Sequence, residues 1–102
     1  MTASIKISAC DNELRVIAST GAFSAEICHI SSGNNDTVAY AVNLGSVLPG
    51  GTYSLTMVGI NWGGPARFSV EVTNNGAVTP YSFEKKDAAI GVVWSPTIIV
   101  NV

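Results

Sequence analysis

The side chains that carry most enzyme chemistry are few in this chain, and their spacing brings none of them together locally. General acids and bases, nucleophiles and metal ions act in groups that converge on one place. His29 is the only histidine, and it alternates with Ala25 and Ile27, which is typical of a strand residue at the edge of a core. The seven acids are Asp11, Glu13, Glu26, Asp36, Glu71, Glu84 and Asp87. Two of them could form a glycosidase pair only through tertiary contact. We therefore predict a protein that is not an enzyme and that needs no cofactor.

The only cysteines are Cys10 and Cys28, and the sequence leaves open whether they are bridged. A disulfide between them would close a loop of about twenty residues and add about 3 kcal/mol of stability if it were unstrained. We favour two separate thiols. Two cysteines and one histidine cannot supply the ligands of a structural zinc site, so we predict no metal centre.

The segment Gly59–Gly64 places a tryptophan among three glycines, directly before Pro65. Glycine adopts positive φ in tight turns and proline fixes φ, so we predict a corner between two strands. Trp62 has two interpretations there: an apolar plug over one end of the core, or an exposed platform on which a sugar ring or a partner stacks. Asn61 beside it can hydrogen-bond a ligand hydroxyl or cap the turn.

Two further aromatic residues are open to the same pair of interpretations. Trp94 alternates with Ile90 and Val92, which favours a core position. Tyr81 can be either a core residue or a binding residue.

Composition and patterning exclude two classes of partner. Charged residues make up 12% of the 102 residues, about half the usual share. Nucleic-acid binding needs clustered cations to neutralise phosphates, and only Lys85 and Lys86 are adjacent.

No run of about 18 apolar residues occurs, so we predict no membrane span. The start of the chain lacks a basic segment followed by an apolar run, so we expect secretion without a classical signal peptide, or a cytoplasmic protein.

Alternation of apolar and polar residues with a period of two dominates the chain and predicts β-strands. Turn-forming segments such as Gly45–Gly51 and Thr73–Gly76 separate them. We predict a single all-β domain over residues 1–102, an antiparallel β-sandwich of the immunoglobulin-like class with seven to nine short strands. Ile5, Ile7 and Ala9 alternate with polar residues before Asp11–Asn12, and Leu14, Val16 and Ala18 alternate after it. Met1–Val16 can be a strand, or its middle can form a short helix packed on a partner, and strand is favoured.

Several motifs occur in a fixed order in the second half of the chain. They are Thr52-Tyr53, Gly59–Gly63, Phe68–Glu71, Phe83 with Gly91, and Thr97–Val102. In this order and spacing they resemble the fungal immunomodulatory proteins, with a few residues inserted near Val78–Pro80. The resemblance covers roughly residues 36–102, because Asp36–Val38 is similar to the start of a strand in that family.

The resemblance implies a fibronectin-III-like sandwich that binds cell-surface glycans, agglutinates cells and stimulates lymphocytes. The sugar contacts proposed for the family transfer only to Asp36, Thr97 and Ile98. Two features depart from the family. Its Asn-Trp-Gly-Arg-Gly segment has no counterpart before Asp36, and its N-terminal helix, which builds a swapped dimer, does not fit the alternation of Ser4–Ala9.

Our hypothesis is a lectin-like immunomodulatory protein that binds a cell-surface glycan or glycoprotein. The candidate ligand-binding residues are Asp36, Asn61, Trp62, Tyr81, Thr97 and Ile98. Because a surface with little charge and many apolar residues favours self-association, we also expect a homodimer. The alternatives are a structural or adhesive module, a toxin-like defence module that binds protein or lipid, and an accessory domain of an enzyme.

Overall fold

The computed structural model describes residues 3–33 and 36–102, which form eight antiparallel β-strands. The strands are β1 (Ser4–Ser19), β2 (Ser24–Ser32), β3 (Tyr40–Asn43), β4 (Thr52–Asn61), β5 (Ala66–Asn74), β6 (Ala77–Lys85), β7 (Gly91–Trp94) and β8 (Thr97–Asn101). The all-β antiparallel prediction is confirmed. Among the described residues the one helical segment is a short 3-10 turn at Leu44–Ser46. The predictions for Met1 and Thr2, and for the two asparagines before Asp36, lie outside the described residues.

The long strand β1 organises the whole curled sheet. Its first half pairs with β3 and β5, and its second half pairs with β2 and β4. The sheet therefore runs in the order β6-β5-β1-β4-β7, with β8 beside the other end of β4. The segment Ser4–Val16 is strand, as favoured from its alternation.

β1 continues through Asp11 and Asn12, which lie between its two alternating segments. Asp11 lies opposite Arg67 of β5, and Asn12 lies opposite Ser32 of β2. The strand therefore changes partners at this point without turning, and the backbone on each side of it is held in a ladder.

Alternate side chains of the strands face inward and fill one core. Phe68 of β5 is fully buried, and its ring stacks on Trp94 of β7 at a centroid distance of 5.7 Å. Gly59 of β4 lies under the same ring, since a Cβ atom at this glycine would come within 2.8 Å of it. Strands from the two halves of the sheet thus pack face to face here. Trp94 packs against the core, as its spacing predicted.

A bulge in β2 changes which of its residues face the core. Val16 lies opposite Cys28, whereas Ile17 lies opposite Glu26, so Ile27 is the extra residue. Simple alternation places His29 with Ile27 at the core edge, but the bulge turns Cys28 inward and leaves His29 exposed. His29 is a strand residue, as predicted, but for this reason its predicted place at the core edge is wrong.

Cys10 and Cys28 are both buried, and neither forms a disulfide. The structure thus has two free thiols, the arrangement that the sequence analysis favours. Burial is the main cause that raises the pKa of Cys10 to about 12 and that of Cys28 to about 11.

In the part of the chain that the structure describes, no helix has the length and apolar character needed to cross a bilayer.

Candidate functional site

The corner between β4 and β5 is fixed by the buried side chain of Asn61. This residue has no exposed surface. Its Nδ2 donates hydrogen bonds to the carbonyl oxygens of Gly64, Ala88 and Ala89 at 3.0, 3.3 and 3.1 Å. Its Oδ1 accepts from the backbone N–H of Gly63 at 3.4 Å. The amide therefore ties the corner to the segment before β7, and we place Asn61 beneath the candidate site as the residue that holds the corner in shape.

Trp62 projects from this corner, and 62% of its surface is exposed. Its backbone N–H donates to Oδ1 of Asn12 at 2.9 Å, and its indole Nε1–H donates to Oε2 of Glu13 at 3.2 Å. The exposure does not fit an apolar plug. The indole hydrogen bond orients the ring, and the backbone hydrogen bond holds the corner against β1.

Glu13 connects the platform to the edge strand β2. Its Oε1 is hydrogen-bonded to Nε2 of His29, while its Oε2 accepts from Trp62. The hydrogen bond from His29 is the largest cause that lowers the pKa of Glu13 below its ordinary value. Nη1 of the neighbouring Arg15 lies 3.5 Å from Oε2 of Glu26. A carboxylate that stays ionised beside an exposed indole can accept hydrogen bonds from a polar ligand.

A cleft of about 490 Å³ lies beside the end of β2. Its walls are the last residues of that strand and the segment that leads into β3. They carry hydroxyl groups, one carboxylate and one aromatic ring, and the lining residues are Ile30, Ser31, Ser32, Asp36, Thr37, Val38, Ala39 and Tyr40. Asp36 Oδ2 accepts a hydrogen bond from the backbone N–H of Gly33 at 2.8 Å. Asp36 and Thr37 also line a second cleft of about 270 Å³, which continues to Arg67.

The platform and the cleft lie at the same level of the sheet, on either side of β1. Glu13 is opposite Ile60 of β4, two residues before Trp62, and it is opposite Ser31 of β2, which lines the cleft. Neighbouring strands lie about 4.8 Å apart, so β4 and β2 are separated by roughly 10 Å. Aromatic, carboxylate, imidazole and hydroxyl groups thus lie in one row across three strands.

The other candidate residues lie elsewhere. Tyr81 of β6 and Ile98 of β8 are half-buried and pack against the core. Thr97 of β8 is exposed, and its hydroxyl lies 3.0 Å from that of Thr56. Thr56 is opposite Ile17, four residues along β1 from Glu13, which is roughly 13 Å. The structure therefore brings Asp36, Asn61 and Trp62 near the middle of β1, and leaves Thr97, Ile98 and Tyr81 away from it.

Sequence reasoning missed Glu13, His29 and Tyr40 as site residues. The turn at Thr20–Phe23 was a signal that β1 and β2 form a hairpin. Pairing outward from that turn, however, gives the wrong register beyond the bulge at Ile27. The contact between Glu13 and His29 therefore could not be found by counting residues.

Comparison of the chain with protein-family models, with curated proteins and with solved structures finds no match in any of the three. The inference of function therefore rests on the arrangement of side chains in this chain.

Proposed function

We propose that the protein is a non-enzymatic, lectin-like protein that binds cell-surface glycans, and that its curled sheet is a fibronectin-III-like sandwich. The observation that carries the proposal is the exposed ring of Trp62, which hydrogen bonds to Asn12 and Glu13 hold in place. An indole ring combines a large apolar face with an N–H donor. The apolar C–H face of a sugar ring stacks on such a platform. Because the platform is already ordered, binding of the sugar costs little further conformational entropy.

Polar groups around the platform suit the hydroxyls of a sugar. Glu13 offers a carboxylate at the edge of the Trp62 ring, and Asp36 offers another in the cleft across β1. Hydrogen bonds to an ionised acceptor are stronger than neutral ones. Planar groups beside an aromatic face can both hold the ring and select the positions of its hydroxyls.

The resemblance to the fungal immunomodulatory proteins extends the proposal to a secreted immunomodulatory protein. A homodimer would present two sites to one cell surface, and linked sites raise the overall affinity without any new contact.

A structural, adhesive or toxin-like module that binds protein or lipid is the alternative. The observation in its favour is a set of exposed apolar side chains near β7 and β8. Ile90, Val92 and Ile99 are 73%, 60% and 61% exposed. Such side chains suit contact with an apolar partner surface.

A glycan array probed with the wild-type protein and two variants tests the proposal. Trp62→Ala removes the platform, and Ile99→Ala removes an equally exposed apolar side chain from β8. We expect discrete signals for the wild-type protein that Trp62→Ala loses and Ile99→Ala keeps. A blank array for a folded wild-type protein would overturn the lectin function and favour the alternative. Equal losses of array signal in both variants would show that Trp62 is not part of the binding site.

A further inference from the structure

We infer that the ligand is an uncharged oligosaccharide of at least two units, which runs from Trp62 across β1 into the cleft that Asp36 and Tyr40 line. This inference rests on the proposed function and specifies the class of glycan. The separation of the two binding surfaces indicates the length of the ligand, and the charges between them indicate its chemistry.

The length follows from the register of three strands. Trp62 follows the end of β4, and Ser31 and Ser32 at the end of β2 line the cleft. Between them lies β1, with Asn12 and Glu13 opposite those two serines. The span of two strand spacings is roughly 10 Å, which is more than one sugar ring covers. A monosaccharide can therefore occupy the platform or the cleft, but not both.

The cleft has the size and the groups of a second subsite. Its volume of about 490 Å³ lies within the usual range for small-molecule sites. Tyr40 is 44% exposed and offers a second aromatic face at the far end of the cleft. It is opposite Ile7, six residues along β1 from Glu13, which is roughly 20 Å, so only a chain of more than two units reaches it. The hydroxyls of Ser31 and Thr37 and the carboxylate of Asp36 provide hydrogen-bonding groups around it.

The charges along this path disfavour an acidic glycan. Glu13 and Asp36 supply two carboxylates. Each nearby cationic group lies close to a carboxylate: His29 is bonded to Glu13, and Arg15 lies beside Glu26. Arg67 lines the second cleft together with the carboxylates of Asp11 and Asp36. Recognition of a carboxylate or sulfate group calls for an available Arg or Lys fork. A sialylated or sulfated chain would instead meet like charges, whereas neutral hydroxyls find acceptors.

The test is an array of neutral chains of one to six sugars, together with the same chains capped by sialic acid or sulfate. Titration of the best neutral chain, and of its terminal monosaccharide, then gives the affinities. We expect the chain to bind about tenfold or more tightly than the monosaccharide, and the acidic chains to bind more weakly than their neutral counterparts. A monosaccharide that binds as tightly as the chain, or a preference for acidic chains, would overturn the inference and leave the lectin function standing. No signal for any glycan would overturn both.

Variants in the cleft separate its contribution from that of the platform. Tyr40→Ala should remove the gain in affinity that the longer chains of the array show over the shorter ones. Phe23→Ala is the matched control, because Phe23 is 45% exposed and lies beyond the far end of β1. Asp36→Asn keeps an acceptor for the Gly33 N–H, and should raise the signal of acidic chains relative to neutral ones. A Tyr40→Ala protein that matches Phe23→Ala for every chain length would overturn the extended site.

Discussion

At the scale of single residues, the exposed platform depends on a neighbour that no ligand can reach. Asn61 is fully buried, and its amide joins the corner at Gly63 and Gly64 to the backbone of Ala88 and Ala89. Trp62 can face solvent in one orientation because the residue before it is anchored in this way.

Asn61→Ala should destabilise the fold much more than an ordinary surface substitution. The variant loses hydrogen bonds to three carbonyl oxygens and leaves the space of a fully buried side chain unfilled. We expect the free energy of unfolding in urea to fall by about 2–4 kcal/mol. Asn101→Ala, an exposed asparagine on β8, is the control. A decrease in the free energy of unfolding equal to that of the control would show that the corner does not depend on the Asn61 amide.

The carboxylate of Glu13 should make stability depend on pH in the acidic range. Its pKa in the folded protein is lowered from 4.5, first because His29 hydrogen-bonds it. A lowered pKa contributes stability that is complete above the ordinary value and is lost as the pH falls through the folded value. The urea concentration at the unfolding midpoint of the wild-type protein should therefore decrease as the pH falls below 4.5. Glu13→Gln should be less stable at neutral pH and show a shallower drop, whereas Glu71→Gln should follow the wild type. A Glu13→Gln variant whose stability falls with pH as steeply as that of the wild type would contradict this role.

At the scale of elements, the alternation predicted most strands, but not how they join. Ile5 and Ile7 alternate with polar residues, and so do Leu14 and Val16, which correctly indicated two strand segments. Asp11–Asn12 has the residue types of a turn, yet β1 runs through it because each side finds partners from distant parts of the chain. Such pairing is a tertiary effect that local propensity does not contain.

The packing of β4 on β5 gives a prediction of its own. Gly59 has no room for a side chain, because its Cβ would lie 2.8 Å from the ring of Phe68. That ring is buried and stacked on Trp94, so it cannot move away freely. We expect Gly59→Ala to cost about 1–3 kcal/mol in chemical denaturation. Gly21→Ala, where nothing lies within 4 Å of the new atom, is the control. Equal stability of the two variants would show that the two strands do not pack this closely.

At the scale of the whole molecule, the core holds together without a covalent link between its cysteines. Cys10 and Cys28 contribute to the core as small apolar side chains. We expect the unfolding midpoint to be the same with and without reductant. Both thiols should resist a thiol reagent in the native state, because their pKa values are raised from 9.0 to about 12 and about 11 and the thiolate is the reactive form. Both should react fully in denaturant. A loss of about 3 kcal/mol on reduction would indicate a disulfide instead.

The site could be predicted only in part from the sequence, because it is assembled from distant segments. The corner at Gly59–Gly64 and Trp62 within it were predicted from residue types alone, whereas Asp36 was proposed only from the resemblance to the fungal immunomodulatory proteins. The roles of Glu13 and His29 depend on the register of β1 and β2, and the cleft depends on the path of the chain into β3. Thr97, Ile98 and Tyr81 lie on strands whose places in the sheet are likewise set by long-range pairing.

The most direct test of the account compares binding with stability in Trp62→Ala. The ring is 62% exposed, so we expect its removal to lower the free energy of unfolding by about 1 kcal/mol or less. The affinity for the best glycan on the array should fall about tenfold or more, because the stacking platform is gone. Ile99→Ala should change neither quantity to that degree. A loss of about 3 kcal/mol or more of stability, with wild-type affinity in the folded protein, would contradict the account.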